Sequence, residues 1–177
     1  MKHFFKLTIL ASVVTALIFG LSAFKTKQAS NVDAYSIQFL SATSDVSRGS
    51  HDWTWVLTNP NPGNGDNGTL QDVSHVSFPL SAQAEAALVS AEYSYDGINW
   101  TSVSISMDRD PAIKQCTSVD VLKFDVGTIG SAPLYFRLAL AEEFAVNPYA
   151  NCYIKTGGGR NGCNTYYFAG IGGAKLD

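Results

Sequence analysis

The stretch Asp52–Thr58, with the sequence DWTWVLT, decides the fold class of this chain. Trp53, Trp55 and Leu57 stand at every second position, so their side chains share one face of an extended strand. The residues between them are smaller or more polar and share the other face. This alternation is the period of a β-strand with one buried face, and we expect the two tryptophans to lie in the core.

The same alternation recurs along most of the chain after residue 34. Further strands are predicted at residues 35–43, 73–78, 89–95, 101–107, 122–126, 134–140, 151–156 and 164–169. Only residues 81–88 favour a short helix, which Ser81 would cap. Because no strands alternate with helices, the pattern predicts an all-β fold, a single antiparallel β-sandwich of about eight strands, immunoglobulin/fibronectin-like or jelly-roll-like.

A tight hairpin is the best-defined local motif. Asp96 and Gly97 stand between two alternating segments, and Asp-Gly is a strong hairpin signal because the turn needs positive φ angles. The stretch Glu92–Thr101 resembles the Y-S-x-D-G-x-x-W hairpin of many extracellular fibronectin-III-like and other β-sandwich modules. It is also similar to the Asp-box hairpin of sialidase propellers, in which the glycine stands one place later. The resemblance implies a β-sandwich hairpin and no particular function.

The N-terminus has the layout of a secretory signal peptide. Lys2 and Lys6 are followed by an apolar run that ends at the small residues Ser22 and Ala23. We predict a signal peptide over residues 1–23, cleaved between residues 22 and 29, and a retained N-terminal anchor is the alternative. The mature chain is therefore expected to be secreted or periplasmic.

The remaining chain fits one domain. We expect a flexible lead-in at residues 24–33, a β-sandwich domain at residues 34–170 and a C-terminal tail at residues 171–177. The whole chain has a formal net charge of -3 at pH 7. This mild acidity excludes nucleic acid and anionic membranes as favoured partners. No second long apolar run follows the first, so no membrane insertion of the mature chain is expected, and the oligomeric state stays open.

Three cysteines, Cys116, Cys152 and Cys163, remain after the signal segment. In an oxidising compartment this number predicts one disulfide and one free thiol. Cys152 and Cys163 flank a Gly-rich turn and are the favoured pair, with Cys116 bonded to either of them as the alternative. A metal site is disfavoured because no histidine or second cysteine stands close to these thiols.

Two loops contain residues that resemble ligand sites. Asn64, Asp66 and Asp72, in and after the loop 59–68, offer oxygens for Ca²⁺, although the spacing departs from an EF-hand and a solvated loop is the alternative. We expect no other cofactor. The sequence GGGRNG at residues 157–162 fits G-x-G-x-x-G, but the strand pattern that follows argues against a dinucleotide site, which needs a helix there.

Catalytic residues are sparse after the signal segment, where His51 and His75 are the only histidines. Ser74 and His75 would face opposite sides of a strand, and we expect His75 to be packed and hydrogen-bonded. Non-catalytic binding of a polysaccharide or a surface protein is the favoured function, through loops 59–68 and 156–162. The candidate ligand-binding residues are Tyr149, Asn61, Asn64 and Arg160. The alternatives are a small secreted hydrolase that uses carboxylates or a metal, and a structural subunit of an extracellular matrix or fibre.

Overall fold

The computed structural model describes residues 35–157 and 163–176. The predicted signal peptide at residues 1–23 and the lead-in at residues 24–33 lie outside the described residues. Strands dominate the rest, with one short helix, α1 (Ala82–Ala86), and one 3-10 turn at Pro111–Ile113. The strands are β1 (Ser36–Asp45), β2 (Ser50–Thr58), β3 (Val73–Phe78), β4 (Leu88–Ser94), β5 (Thr101–Val103), β6 (Met107–Asp108), β7 (Val121–Phe124), β8 (Leu134–Leu140), β9 (Phe144–Thr156) and β10 (Cys163–Lys175).

The strands form two five-stranded antiparallel sheets. The first sheet has the order β1-β2-β8-β4-β5, and the second has the order β10-β9-β3-β7-β6. The chain passes from one sheet to the other between β2 and β3, β3 and β4, β5 and β6, β7 and β8, and β8 and β9. The predicted all-β, antiparallel class is confirmed.

Side chains from both sheets meet in one hydrophobic core. Trp55 of β2 is 1% exposed, and its ring centroid lies 5.6 Å from that of Phe78 in β3 and 6.0 Å from that of Phe168 in β10. Its indole Nε1 donates a 2.9 Å hydrogen bond to the backbone carbonyl of Ala169. Trp53 is equally buried. The predicted burial of both tryptophans is therefore confirmed.

The Ser81 cap forms as expected, and β4 and β5 form the expected hairpin, but its turn is longer than predicted, because Tyr93 pairs with Thr101 and Gly97 but not Asp96 has a positive φ. The Ser81 hydroxyl accepts a 3.1 Å hydrogen bond from the backbone N–H of Ala84 and caps α1. Gly97 has a φ of 72° in the turn between β4 and β5, which glycine adopts without steric cost. The Asp96 carboxylate accepts hydrogen bonds from the backbone N–H groups of Asn99 and Ile98, and these hydrogen bonds lower the pKa of Asp96.

Three predictions about strand boundaries are wrong. The strand predicted at residues 151–156 begins earlier, at Phe144. Residues 101–107 are not one strand, because β5 pairs with β4 in the first sheet whereas β6 pairs with β7 in the second. The predicted tail at residues 171–177 belongs to β10 as far as Lys175. The glycines there allow close packing, since a Cβ on Gly172 would lie 2.5 Å from the carbonyl oxygen of Ala145. The described residues contain no helix long and apolar enough to cross a membrane.

Candidate functional site

A bulge in β9 brings Tyr149 to the surface. Ala150 pairs with Phe168 but Asn147 pairs with Gly170, so two residues of β9, Pro148 and Tyr149, lie opposite Ala169 alone. Proline lacks the N–H that a regular ladder would use, which explains the irregularity at this position. The Asn147 side chain accepts a 2.9 Å hydrogen bond from the backbone N–H of Tyr149. The bulge is therefore held locally, and Tyr149 is 74% exposed.

Tyr167 of β10 lies diagonally across the ladder from Tyr149, because its partner Asn151 comes two residues after Tyr149. Tyr167 lies directly opposite Asn151, and directly opposed residues share a face of the sheet. Tyr167 is 63% exposed, whereas Tyr166 and Phe168 beside it are buried in the core. The outer surface of this ladder thus carries Tyr149, Asn151, Thr165 and Tyr167, which we call the tyrosine face.

The tyrosine face lies in an uncharged part of the ladder. Residues 145–154 and 164–174 contain no Asp, Glu, Lys or Arg. The nearest charge on one side is Lys155, whose Nζ donates a 2.9 Å hydrogen bond to the carbonyl of Thr156. On the other side Lys175 and Glu142 form a 3.5 Å ion pair. The face therefore offers aromatic rings, amides and hydroxyls.

The outer surface of the second sheet is covered beside the tyrosine face. The segment that includes the 3-10 turn lies over β7 and β9, and Ile113 packs there with Val121 and Tyr153. A disulfide between Cys116 and Cys163 joins this segment to the start of β10. We call residues 109–119 the strap. A disulfide is compatible with an extracellular or periplasmic location.

The predicted Cys152–Cys163 disulfide is corrected to Cys116–Cys163, and Cys152 is the free thiol. The register explains the error. Cys152 lies opposite Tyr166 and points into the core, whereas Cys163 lies opposite Lys155 and faces the strap. The two sulfurs therefore leave opposite faces of the sheet. Burial also raises the pKa of the Cys152 thiol.

A buried histidine–carboxylate pair joins β3 to the strap. His75 Nε2 is 2.8 Å from Asp110 Oδ2, and both side chains are almost wholly buried. The other Asp110 oxygen accepts a 2.9 Å hydrogen bond from the backbone N–H of Ala112. Burial, and to a smaller extent the charge of Lys123, lowers the pKa of His75, although Asp110 opposes this shift. A shallow cleft of about 290 Å³ lies beside the pair.

The three expected calcium ligands do not converge. Asn64 Nδ2 donates a 2.8 Å hydrogen bond to Asp66 Oδ2, and Asn64 Oδ1 accepts a 3.0 Å hydrogen bond from the backbone N–H of Asp66. Asp72 instead accepts hydrogen bonds from the hydroxyl of Thr128 and the N–H of Gly130. Within residues 35–157 and 163–176, no group of three or more His, Cys, Asp or Glu side chains is placed to hold a metal ion.

Of the expected ligand-binding residues that the structure describes, Asn61 and Asn64 lie in the loop 59–68, whereas Tyr149 lies in β9. Asn61 Nδ2 donates a 2.7 Å hydrogen bond to the carbonyl of Gly68, so its side chain stabilises the loop 59–68 from within. The Asn64 side chain does the same through its hydrogen bond to Asp66. Arg160 lies outside the described residues, as does most of the loop 156–162. Tyr149 is exposed as expected, but on a strand bulge.

Sequence reasoning missed a charged cluster on the first sheet. Arg137 Nε lies 2.7 Å from Glu92 Oε2 and 4.0 Å from Asp52 Oδ2. Arg48 contacts the same two carboxylates at 3.6 and 3.2 Å. The Arg137 guanidinium also lies 4.1 Å from the ring centroid of Trp100. Each carboxylate is thus neutralised by guanidinium groups, which is unfavourable for acid–base catalysis.

Comparison of the chain with protein-family models, with curated proteins and with solved structures finds no match. The site must therefore be judged on its own chemistry. Tyr167 and Asn151 are functional candidates that the sequence analysis did not select. The alternation of Tyr166, Tyr167 and Phe168 contained the necessary signal, because it places Tyr167 on the face opposite its two neighbours.

Proposed function

We propose that this chain is an exported, non-catalytic β-sandwich module that binds a polysaccharide at or outside the cell surface through the tyrosine face. The observation that carries the proposal is the high exposure of both Tyr149 and Tyr167 on the β9–β10 ladder, where Tyr167 lies opposite Asn151 and Tyr149 stands two residues before Asn151. The N-terminal signal pattern and the disulfide support the compartment.

Exposed aromatic rings suit sugars for a physical reason. A pyranose ring has an apolar C–H face that packs against an aromatic ring through dispersion, while its hydroxyls form hydrogen bonds at the edges. Asn151 and Thr165 stand between and beside the tyrosines and supply polar groups for those hydroxyls. The strands and the Asn147 hydrogen bond hold the face, so little ordering entropy opposes binding.

The arrangement of acids and histidines supports a non-catalytic role. Asp52 and Glu92 are each held by arginines. His75 and Asp110 are almost wholly buried, next to a fully buried Ile113. These groups stabilise the fold in ways that leave them poorly suited to proton transfer with a polymer.

The proposal is tested by adsorption to a panel of immobilised polysaccharides and of host surface proteins. We expect the mature chain to bind at least one polysaccharide. The double variant Tyr149→Ala/Tyr167→Ala should lose that binding, whereas Tyr149→Phe/Tyr167→Phe, which keeps both rings, should retain most of it. Ile98→Ala, which removes a similarly exposed apolar side chain from the β4–β5 turn, is the control for nonspecific hydrophobic adsorption.

Two outcomes would contradict the proposal. One is polysaccharide binding that the alanine double variant leaves intact. The other is binding to a surface protein alone, which would assign the tyrosine face to a different class of ligand. Far-ultraviolet circular dichroism of each variant ensures that lost binding does not reflect lost folding.

A further inference from the structure

We infer that the polysaccharide bound at the tyrosine face is uncharged. This inference rests on the proposed function and narrows its ligand class. It follows from the distribution of charge along the β9–β10 ladder, where residues 145–154 and 164–174 contain no Asp, Glu, Lys, Arg or His.

An acidic polysaccharide would need cations within reach of its carboxylates or sulfates. Among the described residues, the lysines at the ends of this region are directed elsewhere, since the Lys155 ammonium group donates to the carbonyl of Thr156 and Lys175 is paired with Glu142. Bringing a polymer anion onto the tyrosine face would remove water from its charges without a cation on that face, which is costly. The formal net charge of -3 also repels polyanions at long range.

A basic polysaccharide would need carboxylates within reach of its ammonium groups. No carboxylate lies on the tyrosine face itself; Glu142 and Glu143 precede β9, and Glu142 is paired with Lys175. The polar groups that are present match neutral sugars better. The Asn151 amide, the Thr165 hydroxyl and the two phenol hydroxyls each offer a donor and an acceptor, as sugar hydroxyls do.

Thr165 provides the decisive variant. It is exposed on the same face, two residues before Tyr167, so a longer side chain there is tolerated by the fold. Thr165→Lys and Thr165→Glu add charges of opposite sign at one position. An uncharged ligand predicts that both variants bind about tenfold more weakly, because each new charge is desolvated without a partner. An acidic ligand predicts tighter binding by the lysine variant and weaker binding by the glutamate variant.

The measurement is affinity electrophoresis of the mature chain in gels that contain a neutral polysaccharide (dextran, mannan or a β-glucan), an acidic one (alginate or heparin) or a basic one (chitosan). Thr101→Lys and Thr101→Glu, at an exposed threonine of β5 in the other sheet, correct for the change in mobility and net charge. We expect retardation by a neutral polymer and loss of retardation in both Thr165 variants.

A failure of the uncharged-ligand inference can be distinguished from a failure of the proposed function. Retardation by alginate, heparin or chitosan that depends on Tyr149 and Tyr167 would overturn the uncharged ligand and leave the proposed function standing. Tighter binding by one of the two Thr165 variants and weaker binding by the other would also overturn the uncharged ligand and leave the proposed function standing. Retardation that is independent of both tyrosines would overturn the proposed function itself.

Discussion

The Asn147 side chain accepts a 2.9 Å hydrogen bond from the backbone N–H of Tyr149 across the intervening Pro148. This contact stabilises the one-residue bulge, in which Pro148 and Tyr149 lie opposite a single residue of β10. Asn147 is thus a positioning residue, which acts on Tyr149 and need not contact the ligand itself.

Replacing Asn147 with alanine should weaken polysaccharide binding more than it weakens the fold. Loss of one hydrogen bond costs about 0.5–1.5 kcal/mol of stability, and the freed bulge no longer fixes the direction of Tyr149. The affinity and the urea midpoint of the variant check this. Asn164→Ala, at an exposed position near the start of β10, is the matched control and should change neither. An unchanged affinity for the Asn147 variant would show that the bulge does not position the site.

The Cys116–Cys163 disulfide should stabilise the chain by about 2–4 kcal/mol, because it closes a long loop and holds the strap on the second sheet. Reduction, or the double variant Cys116→Ala/Cys163→Ala, should lower the free energy of unfolding by that amount. Peptide mapping without reductant should recover Cys116 and Cys163 in one linked pair. Cys152 should react with an alkylating agent only after unfolding, since it is buried. A linked pair that contains Cys152 would contradict the observed register.

His75 should make the fold less stable in mild acid. Its pKa in the folded chain is lowered, chiefly by burial and then by Lys123, while Asp110 and Asp125 oppose the shift and Lys155 adds to it. Below a pH of about 6.5 the unfolded chain therefore binds a proton that the folded chain does not. Stability is fully present above that pH and falls toward the folded pKa, by at most about 1.4 kcal/mol per pH unit.

Urea unfolding at pH 7.5 and pH 5.5 measures this loss. His75→Gln, which keeps a polar side chain but removes the titratable ring, should reduce the difference between the two pH values. His51→Gln, at the other described histidine, should leave it in place. A difference of equal size in the His75 variant would assign the acid sensitivity to other groups.

The ion pair between Glu92 and Arg137 should contribute more than a surface pair does. Two guanidinium nitrogens contact one carboxylate oxygen at 2.6 and 2.7 Å, and the guanidinium also stacks on Trp100. A double-mutant cycle with Glu92→Gln and Arg137→Met should give a coupling energy of about 1–2 kcal/mol. The half-exposed pair Glu142–Lys175 is the matched comparison and should give less than about 0.5 kcal/mol. Equal coupling energies would contradict this ranking.

The sequence predicts much of the secondary structure because side-chain alternation is a local property. The boundaries expected for β3 and β8 agree with the structure, and the Ser81 cap and the β4–β5 hairpin also form, although the hairpin turn is longer than the predicted Asp-Gly turn. Alternation does not reveal when a strand changes sheets, which is why residues 101–107 were assigned to a single strand. Alternation also predicts a strand at residues 151–156 alone, whereas β9 begins at Phe144 and includes Pro148 in its bulge.

The candidate site depends on register, which a single sequence does not contain. Cys163 faces the strap because it lies opposite Lys155, and Tyr167 belongs to the site because it lies opposite Asn151. The loop 59–68 was favoured for its many amides and carboxylates. Its side chains instead satisfy one another, as the Asn64–Asp66 and Asn61–Gly68 hydrogen bonds illustrate. Composition alone does not distinguish a loop whose polar side chains bond to one another from a loop whose polar side chains bind a ligand.

The most direct test of the central claim is an NMR titration of the isotope-labelled mature chain with an oligosaccharide of a neutral polymer that retards it. The proposed site predicts that the largest backbone shift changes lie at residues 147–151 and 165–169, on both sides of the bulge. Largest changes in the loop 59–68, or around Trp100 and Arg137 on the first sheet, would contradict the assignment of binding to Tyr149 and Tyr167.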